Sequence, residues 1–414
     1  MHWGSPVTLT IALIAVAGML IRPWRSSEWM WALGGAAAEI AVGAVSLSGA
    51  WNAVAGGLNV YGFLAGILVL AEVARSQGVF EWLAGYAEAA ANRSRAHLLL
   101  LLYGVGVAVT ATLSNDTAII VLTPAALALG RRIGGSPLPY LFACAFVANA
   151  ASFLLPTGNP ANLLLYGHDV PALLPWLRTY GMAAVATIVL TYIGLVWSFR
   201  ADLRPATTEQ REARPRSTPA SRLAFFVLIA SAVVLVFAST VGWALGPTAL
   251  VCAAGAVAIV LRVDRTVAGY VLRETSWSVV PLVAGLLVVV AALEGAGITQ
   301  LSRAALDSVS TLSPWLGREL AGFSTTTFVV AANNLPVAAF AQRALAATPT
   351  HSLLHAVVVG IDLGPNLSLS GSLATVLWLV VLRREGIVVT PWQFLFRGAP
   401  ILLPTMFVAL LLAP

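Results

Sequence analysis

Four polar residues, Ser114, Asn115, Asp116 and Thr117, interrupt one long apolar stretch, and Asn333 and Asn334 interrupt another. A second polar break follows each of them. The first contains Thr157, Gly158, Asn159 and Asn162, and the second contains Asp362, Asn366, Ser368, Ser370, Gly371 and Ser372. Amides and hydroxyls both donate and accept hydrogen bonds, so such groups suit a small neutral polyol or a desolvated ion. Helices that start after each break add their positive dipole ends. Glycine lets a solute approach the backbone closely. The same residue types also cap helix breaks and pack helices together, and the sequence leaves those readings open.

The acids inside apolar surroundings are Glu39, Glu72, Asp116, Glu294 and Asp362. A carboxyl in hydrocarbon is costly as an anion and can carry a proton. Asp116 and Asp362 lie within the polar breaks and lead as proton-coupling residues, whereas Glu72 and Glu294 fall near helix ends. His355 sits inside an apolar run, where a lone histidine reads as structural. The two cysteines, Cys144 and Cys252, give neither a disulfide framework nor a cysteine-thiolate metal site. No Gly-rich phosphate loop and no nucleophile paired with a base is present, so the residues call for no cofactor and do not describe an enzyme.

These residues need elements to hold them, and composition names the class. Apolar residues make up 59% of the 414 and charged residues 10%. Apolar runs recur from end to end, which describes an all-α polytopic membrane protein. All 23 basic residues are arginine. They sit between the apolar runs, so they report topology and not nucleic-acid binding. Ten spans are predicted, at 7–21, 29–47, 59–74, 138–166, 173–199, 223–245, 248–261, 277–293, 353–379 and 392–412. Helices at 79–91 and 298–311 read as interfacial.

Two segments, 97–132 and 319–347, carry their polar breaks at mid-length. In the first, each arm has roughly 15 residues, about 22 Å of helix against a hydrocarbon core of about 30 Å. Arginine lies at both ends. Short arms with same-side charges predict re-entrant hairpins whose tips, at Asn115 and Asn334, reach mid-membrane. Irregular backbone is tolerated there only where it lines a protein-enclosed cavity.

The chain also repeats itself. The interval from Asn115 to Asn334 also carries Gly66 onto Gly285 and Gly78 onto Gly297, and the interval from Gly158 to Gly371 carries Ala161 onto Ala374. Placing Arg22, Arg25 and Arg75 in the cytoplasm sends 59–74 inward and 277–293 outward. The expected organisation is therefore a first half (1–199), an Arg- and Pro-rich cytoplasmic linker (200–222) and an inverted second half (223–414), with both termini outside. Matching polar breaks in two inverted halves point to the binding site of a carrier.

The block GIDLGPNLSLSGSLATVLWLVVLRREG, from Gly360 to Gly386, resembles the ArsB-type arsenite/antimonite efflux permeases of the ion transporter superfamily. The runs AANNLP around Asn333 and SNDTAIIVLTP from Ser114 are similar to that pattern too. PTGNPANL, from Pro156, resembles a feature of the wider superfamily, including NhaD-type sodium/proton antiporters and dicarboxylate carriers. The resemblance implies an inverted-repeat ion transporter fold in a prokaryotic inner membrane. It implies export of arsenite and antimonite in exchange for protons, in some relatives with a separate ATPase subunit, and often a homodimer. Arsenite at neutral pH is mostly the uncharged trihydroxide, which amide and hydroxyl groups can match. A sodium/proton antiporter or another small-anion carrier of the same superfamily is the alternative.

Overall fold

The computed structural model describes residues 4–23, 26–91, 94–132, 136–167, 169–204, 218–345 and 351–413. Arg25, Arg93, His168, most of the linker (205–217) and the end of the second predicted hairpin (346–347) lie outside the described residues. The described chain is helical throughout. The first half runs α1 (Gly4–Ile21), α2 (Glu28–Ala41), α3 (Leu47–Gly56), α4 (Leu58–Ser76), α5 (Val79–Ala91), α6 (Arg95–Thr112), α7 (Asn115–Arg132), α8 (Leu138–Ala150), α9 (Pro160–Tyr166) and α10 (Leu173–Ser198). The second half runs α11 (Pro219–Thr240), α12 (Leu245–Val260), α13 (Val267–Glu274), α14 (Val279–Gly295), α15 (Ile298–Ser310), α16 (Pro314–Ala332), α17 (Asn334–Leu345), α18 (His351–Leu363), α19 (Leu373–Arg384) and α20 (Pro391–Leu412).

The two halves match helix for helix. The interval that carries Asn115 onto Asn334 carries both ends of α5 onto both ends of α15. The interval from Gly158 to Gly371 carries both ends of α8 onto both ends of α18. Packing follows the same exchange: α4 lies against α12 and α14 against α2, while α7 lies against α19 and α17 against α9. The glycines of the repeat explain the first two contacts. A Cβ on Gly66 would stand 2.5 Å from the Ala249 backbone, and one on Gly285 would stand 2.6 Å from the Ala32 backbone. Small residues of this kind let membrane helices approach backbone to backbone.

Among the described residues, six helical stretches are long and apolar enough to cross a membrane: Leu58–Ser76, Arg95–Thr112, Leu173–Ser198, Pro219–Thr240, Val267–Gly295 and Pro391–Leu412. On α10 the exposed residues Met182, Val185, Val189 and Ile193 recur every three or four positions and form a lipid-facing stripe. The predicted span 29–47 differs from the structure. Its helix α2 stops at Ala41, Gly43 turns with φ +75°, and α3 occupies most of what reads in sequence as a connecting segment.

The pair α6–α7 doubles back on itself. The Tyr140 hydroxyl donates to the Arg95 carbonyl at 3.3 Å, at the start of α6. The same ring lies 2.9 Å from where a Cβ on Gly130, near the end of α7, would be. Both outer ends of the pair therefore meet one side chain, and the break at Leu113–Ser114 is a tip. Each arm has 18 residues, longer than the sequence reading, partly because the Ser94 side chain caps α6.

The core is α8. Every residue from Pro139 to Ala150 is buried. The helix ends at Ala150, and a turn over 151–155 leads into the short 3-10 turn Pro156–Gly158. Orphan carbonyls at its end are satisfied by neighbours, as a buried helix end demands. Thr187 donates to Ala150 O at 2.9 Å, the Trp176 indole to Phe153 O at 3.0 Å, and Asn162 to Ser152 O at 3.3 Å. The counterpart α18 ends at Leu363 and passes directly into the 3-10 turn Gly364–Leu367.

Candidate substrate and proton site

Asp362 is the penultimate residue of α18 and is fully buried. Its Oδ1 accepts a hydrogen bond from Asn159 Nδ2 at 2.8 Å and another from the Ser152 hydroxyl. The Asn162 amide lies beside the same carboxyl. All three donors come from the other half of the chain. Next to them, Asn149 Nδ2 donates to Asn366 Oδ1 at 2.8 Å. The two broken helices thus meet through a buried polar cluster, with one carboxyl and no cationic side chain among these residues. Such a network is costly unless satisfied, because neither lipid nor water compensates it.

The breaks also shape the cluster. Asn159 caps α9 by accepting from Ala161 N at 3.0 Å, and Ser372 caps α19 by accepting from Thr375 N at 3.1 Å. A Cβ on Gly158 would stand 2.4 Å from Ser152 O, and one on Gly371 would stand 2.7 Å from Pro365 Cα. Ser152 and Pro365 are themselves related by the repeat interval. Both glycines therefore hold equivalent close turns. Ser372 is occupied as a cap, which is the structural role that its sequence context left open.

The first tip is compact. Ser114 Oγ accepts from Thr117 N at 3.2 Å and donates to Thr117 Oγ1 at 3.0 Å, and Asn115 Oδ1 accepts from Asp116 N at 2.9 Å. The Asp116 carboxylate takes the Ala374 backbone N–H. At the second tip, Asn333 adopts φ +74°, a left-handed value rare for a residue with a side chain. It is held there by its own amide, which donates to Ser370 O at 3.0 Å, while Asn334 N donates to Gly371 O at 2.9 Å. Both tips are thereby anchored on one segment, residues 370–374. A cavity flanks the second tip, lined by Asn333, Ser370 and Leu373 together with Met19, Glu28 and Leu286 from the other helices.

Most of the sequence-predicted residues are drawn together here. Asn159, Asn162, Asp362 and Asn366 share the central cluster, and Asp116, Asn333, Asn334, Gly371 and Ser372 gather at the 370–374 segment. Glu72 and Glu294 do not join them: Glu72 pairs with Arg75 at 2.8 Å and Glu294 with Arg343 at 3.0 Å. Glu39 is buried in α2 beside Thr8, apart from the cluster. Sequence reasoning missed Asn149 and Ser152. The repeat interval holds the signal for Asn149, since it carries Asn149 onto Asp362. Among the described residues no group of three metal-ligating side chains occurs.

Comparison with known proteins agrees with this architecture. The arsenical pump membrane protein of Escherichia coli is 29% identical over 376 residues, covering 87% of this chain and 85% of that protein. The arsenical pump membrane protein of Yersinia enterocolitica is 28% identical over 377 residues, with the same coverage. An uncharacterized transporter of Mycobacterium tuberculosis is 27% identical over 415 residues and 95% of each chain. The resemblance carried by the Gly360 block therefore extends over most of the chain. Among solved structures, the YdaH transporter of Alcanivorax borkumensis, described as having an unusual topology, superposes with a TM-score of 0.60 over 100% of this chain and 98% of that one, at 14% identity. That likeness concerns the fold. The citrate transporter family (CitMHS) matches residues 7–365, and the chain, a multi-pass protein of the bacterial inner membrane, belongs to it.

Proposed function

We propose that the chain exports arsenite and antimonite, as neutral trihydroxides, in exchange for protons. The halves act as inverted repeats, and α6–α7 and α16–α17 act as re-entrant hairpins. Substrate binds between Ser114, Asn115, Asp116 and Thr117 at one tip and Asn333 and Asn334 at the other, with Gly158, Asn159, Asn162, Asn366, Gly371 and Ser372 shaping the site. Asp116 and Asp362 carry the coupled protons.

One observation carries the reading. Asn115 and Asn334 occupy equivalent positions, are 1% and 2% exposed, and each keeps an amide atom, Nδ2 of Asn115 and Oδ1 of Asn334, without a hydrogen bond. A buried donor and a buried acceptor suit a ligand whose hydroxyls do both. Two further points support it. The clustered side chains include no arginine to neutralise a polyanion, and the relatives of known name are arsenical pumps. Two cysteines cannot provide three thiolates, so capture is weak enough to permit release. A separate ATPase subunit and a second copy of the chain are the protein partners to seek by co-purification.

Radiolabelled arsenite uptake into everted vesicles, with and without an imposed proton gradient, tests the proposal. Gradient-dependent accumulation, abolished by an uncoupler and reduced about tenfold or more in Asn115→Ala and Asn334→Ala, is expected for loss of one buried hydrogen bond each. No accumulation, with a proton signal on adding Na⁺ or Li⁺, would replace it by a sodium/proton antiporter.

A further inference from the structure

The cavity at the second tip has a charged rim. Glu28, in the first turn of α2, lines it together with Asn333 and Ser370. The other lining side chains are apolar, and among the described residues Glu28 is the only charged one in the lining. Its carboxylate is ion-paired with Arg22, which does not itself line the cavity. The backbone is strained where the pair forms. Arg22, directly after the end of α1, adopts φ +50°, a value rare for a residue with a side chain. The negative end of the pair therefore borders the cavity, and the positive end is spent on it.

The tip offers an anion no other seat. Free N–H groups at a helix N-terminus are a common place for an oxyanion. At the start of α17 they are taken. Asn334 N donates to Gly371 O at 2.9 Å, Leu335 N to Asn333 Oδ1 at 3.2 Å and Val337 N to Asn333 O at 3.4 Å. Pro336, between them, has no N–H. The Asn333 amide donates to Ser370 O at 3.0 Å. An uncharged ligand with hydroxyls needs no such cradle, since a carboxylate accepts its hydrogen bonds.

We propose that Glu28 is a specificity-determining residue: its carboxylate repels oxyanions from the second tip and accepts a hydrogen bond from an uncharged hydroxyl ligand. Specificity here comes from a repulsive element, because a like charge placed against the wrong ligand costs more than a lost contact. The ion pair keeps Arg22 from offering the anion a partner. In the topology read from the arginines, α1 ends and α2 starts at the cytoplasmic face, where an exporter loads. The inference rests on the tips as the substrate site.

The test competes arsenite uptake by the full chain in proteoliposomes with two unlabelled solutes: arsenate, an oxyanion of similar size, and glycerol, a neutral polyol. Wild type and Glu28→Asp should resist arsenate. Glu28→Gln should be inhibited at arsenate concentrations about tenfold or more lower, with its response to glycerol unchanged. A slower uptake rate alone does not move these comparisons. Equal arsenate sensitivity in wild type and Glu28→Gln overturns the filter and leaves the ion pair as a staple between α1 and α2. An equal gain for arsenate and glycerol also overturns it, since that marks a widened cavity. Should Glu28→Gln not fold, Glu28→Ala is judged in the same way. If wild type takes up no arsenite, the transport reading falls, and the filter is judged by melting of the purified full chain. Arsenate raising the melting temperature of Glu28→Gln but not of wild type then sustains it, and equal shifts or none overturn it. The same melting decides if only the variant takes up no arsenite.

Discussion

Asn149 and Asp362 occupy the same place in the two halves of the chain, each the penultimate residue of a 13-residue buried helix. One is an amide and the other an acid. The amide donates to Asn366 at 2.8 Å, and the acid accepts from Asn159 at 2.8 Å, so each reaches into the opposite half. A symmetric scaffold therefore carries an asymmetric charge. In the proposed mechanism, this pair of equivalent positions can hold a coupled proton only at Asp362, because an amide does not titrate near neutral pH.

Asp362→Asn should keep the acceptor facing Ser152 and Asn159 and remove the titrating group. The protein is expected to insert and bind arsenite while gradient-driven uptake falls about tenfold or more. Asn149→Asp places a second carboxyl in the same cluster, where two anions are mutually costly. Its expected effect is a shifted pH dependence of uptake, read against wild type in the same vesicles.

The backbone contacts at Gly66 and Gly285 make a stability prediction. Gly66→Ala and Gly285→Ala each force a methyl into a space already filled by another helix, at 2.5 and 2.6 Å. Overpacking of this kind costs about 1–3 kcal/mol. Gly34→Ala and Gly255→Ala, where a Cβ meets nothing within 4 Å, serve as controls and should not lower melting in detergent, since helical alanine without a clash is favourable.

Gly158→Ala and Gly371→Ala concern the site itself. Each methyl would meet backbone or ring atoms of its own break, at Ser152 or Pro365. Transport is expected to fall about tenfold or more with the protein still in the membrane, because displacement of a binding constellation by about 1 Å is enough for large losses. Normal transport in both variants would show that the breaks tolerate widening and do not set the site.

A pH prediction comes from the loop between α12 and α13. Thr266, through its hydroxyl at 2.6 Å, and Gln77, at 2.8 Å, hydrogen-bond the Asp264 carboxylate and hold it below the usual carboxylate range. A group whose folded value is depressed stabilises above its unfolded value, about 3.9, and that contribution is lost as pH falls through the folded value. Amide exchange at residues 262–267 and at the end of α4 should therefore accelerate only below about pH 4. Asp264→Ala should show the faster exchange at neutral pH already.

Much of this molecule was legible in the sequence for one reason: polar residues in a membrane span are conspicuous. Asn115, Asn334, Asp116 and Asp362 stood out, and so did the Gly158 and Gly371 breaks. Asn149 and Ser152 did not, because they fall before the break, in a predicted span (138–166) whose residues up to that point read as apolar. The extents of α2 and α3 were misread for a related reason. Hydropathy does not register a turn such as that at Gly43 when both sides of it are apolar. Contacts between halves are beyond any local pattern; only the repeat interval hints at them.

The segment from Ser370 to Ala374 holds both hairpin tips at once, through Ala374 N–H to Asp116 and through Gly371 O to Asn334 N–H. In mechanical terms, two doors hang on one post. If α19 shifts, neither tip keeps its anchor, and if one tip is pulled by a bound solute, the strain is passed to the other. If solute binds at the tips as proposed, its arrival at one would be communicated to the second across three residues of backbone, with no need for a long chain of intermediaries.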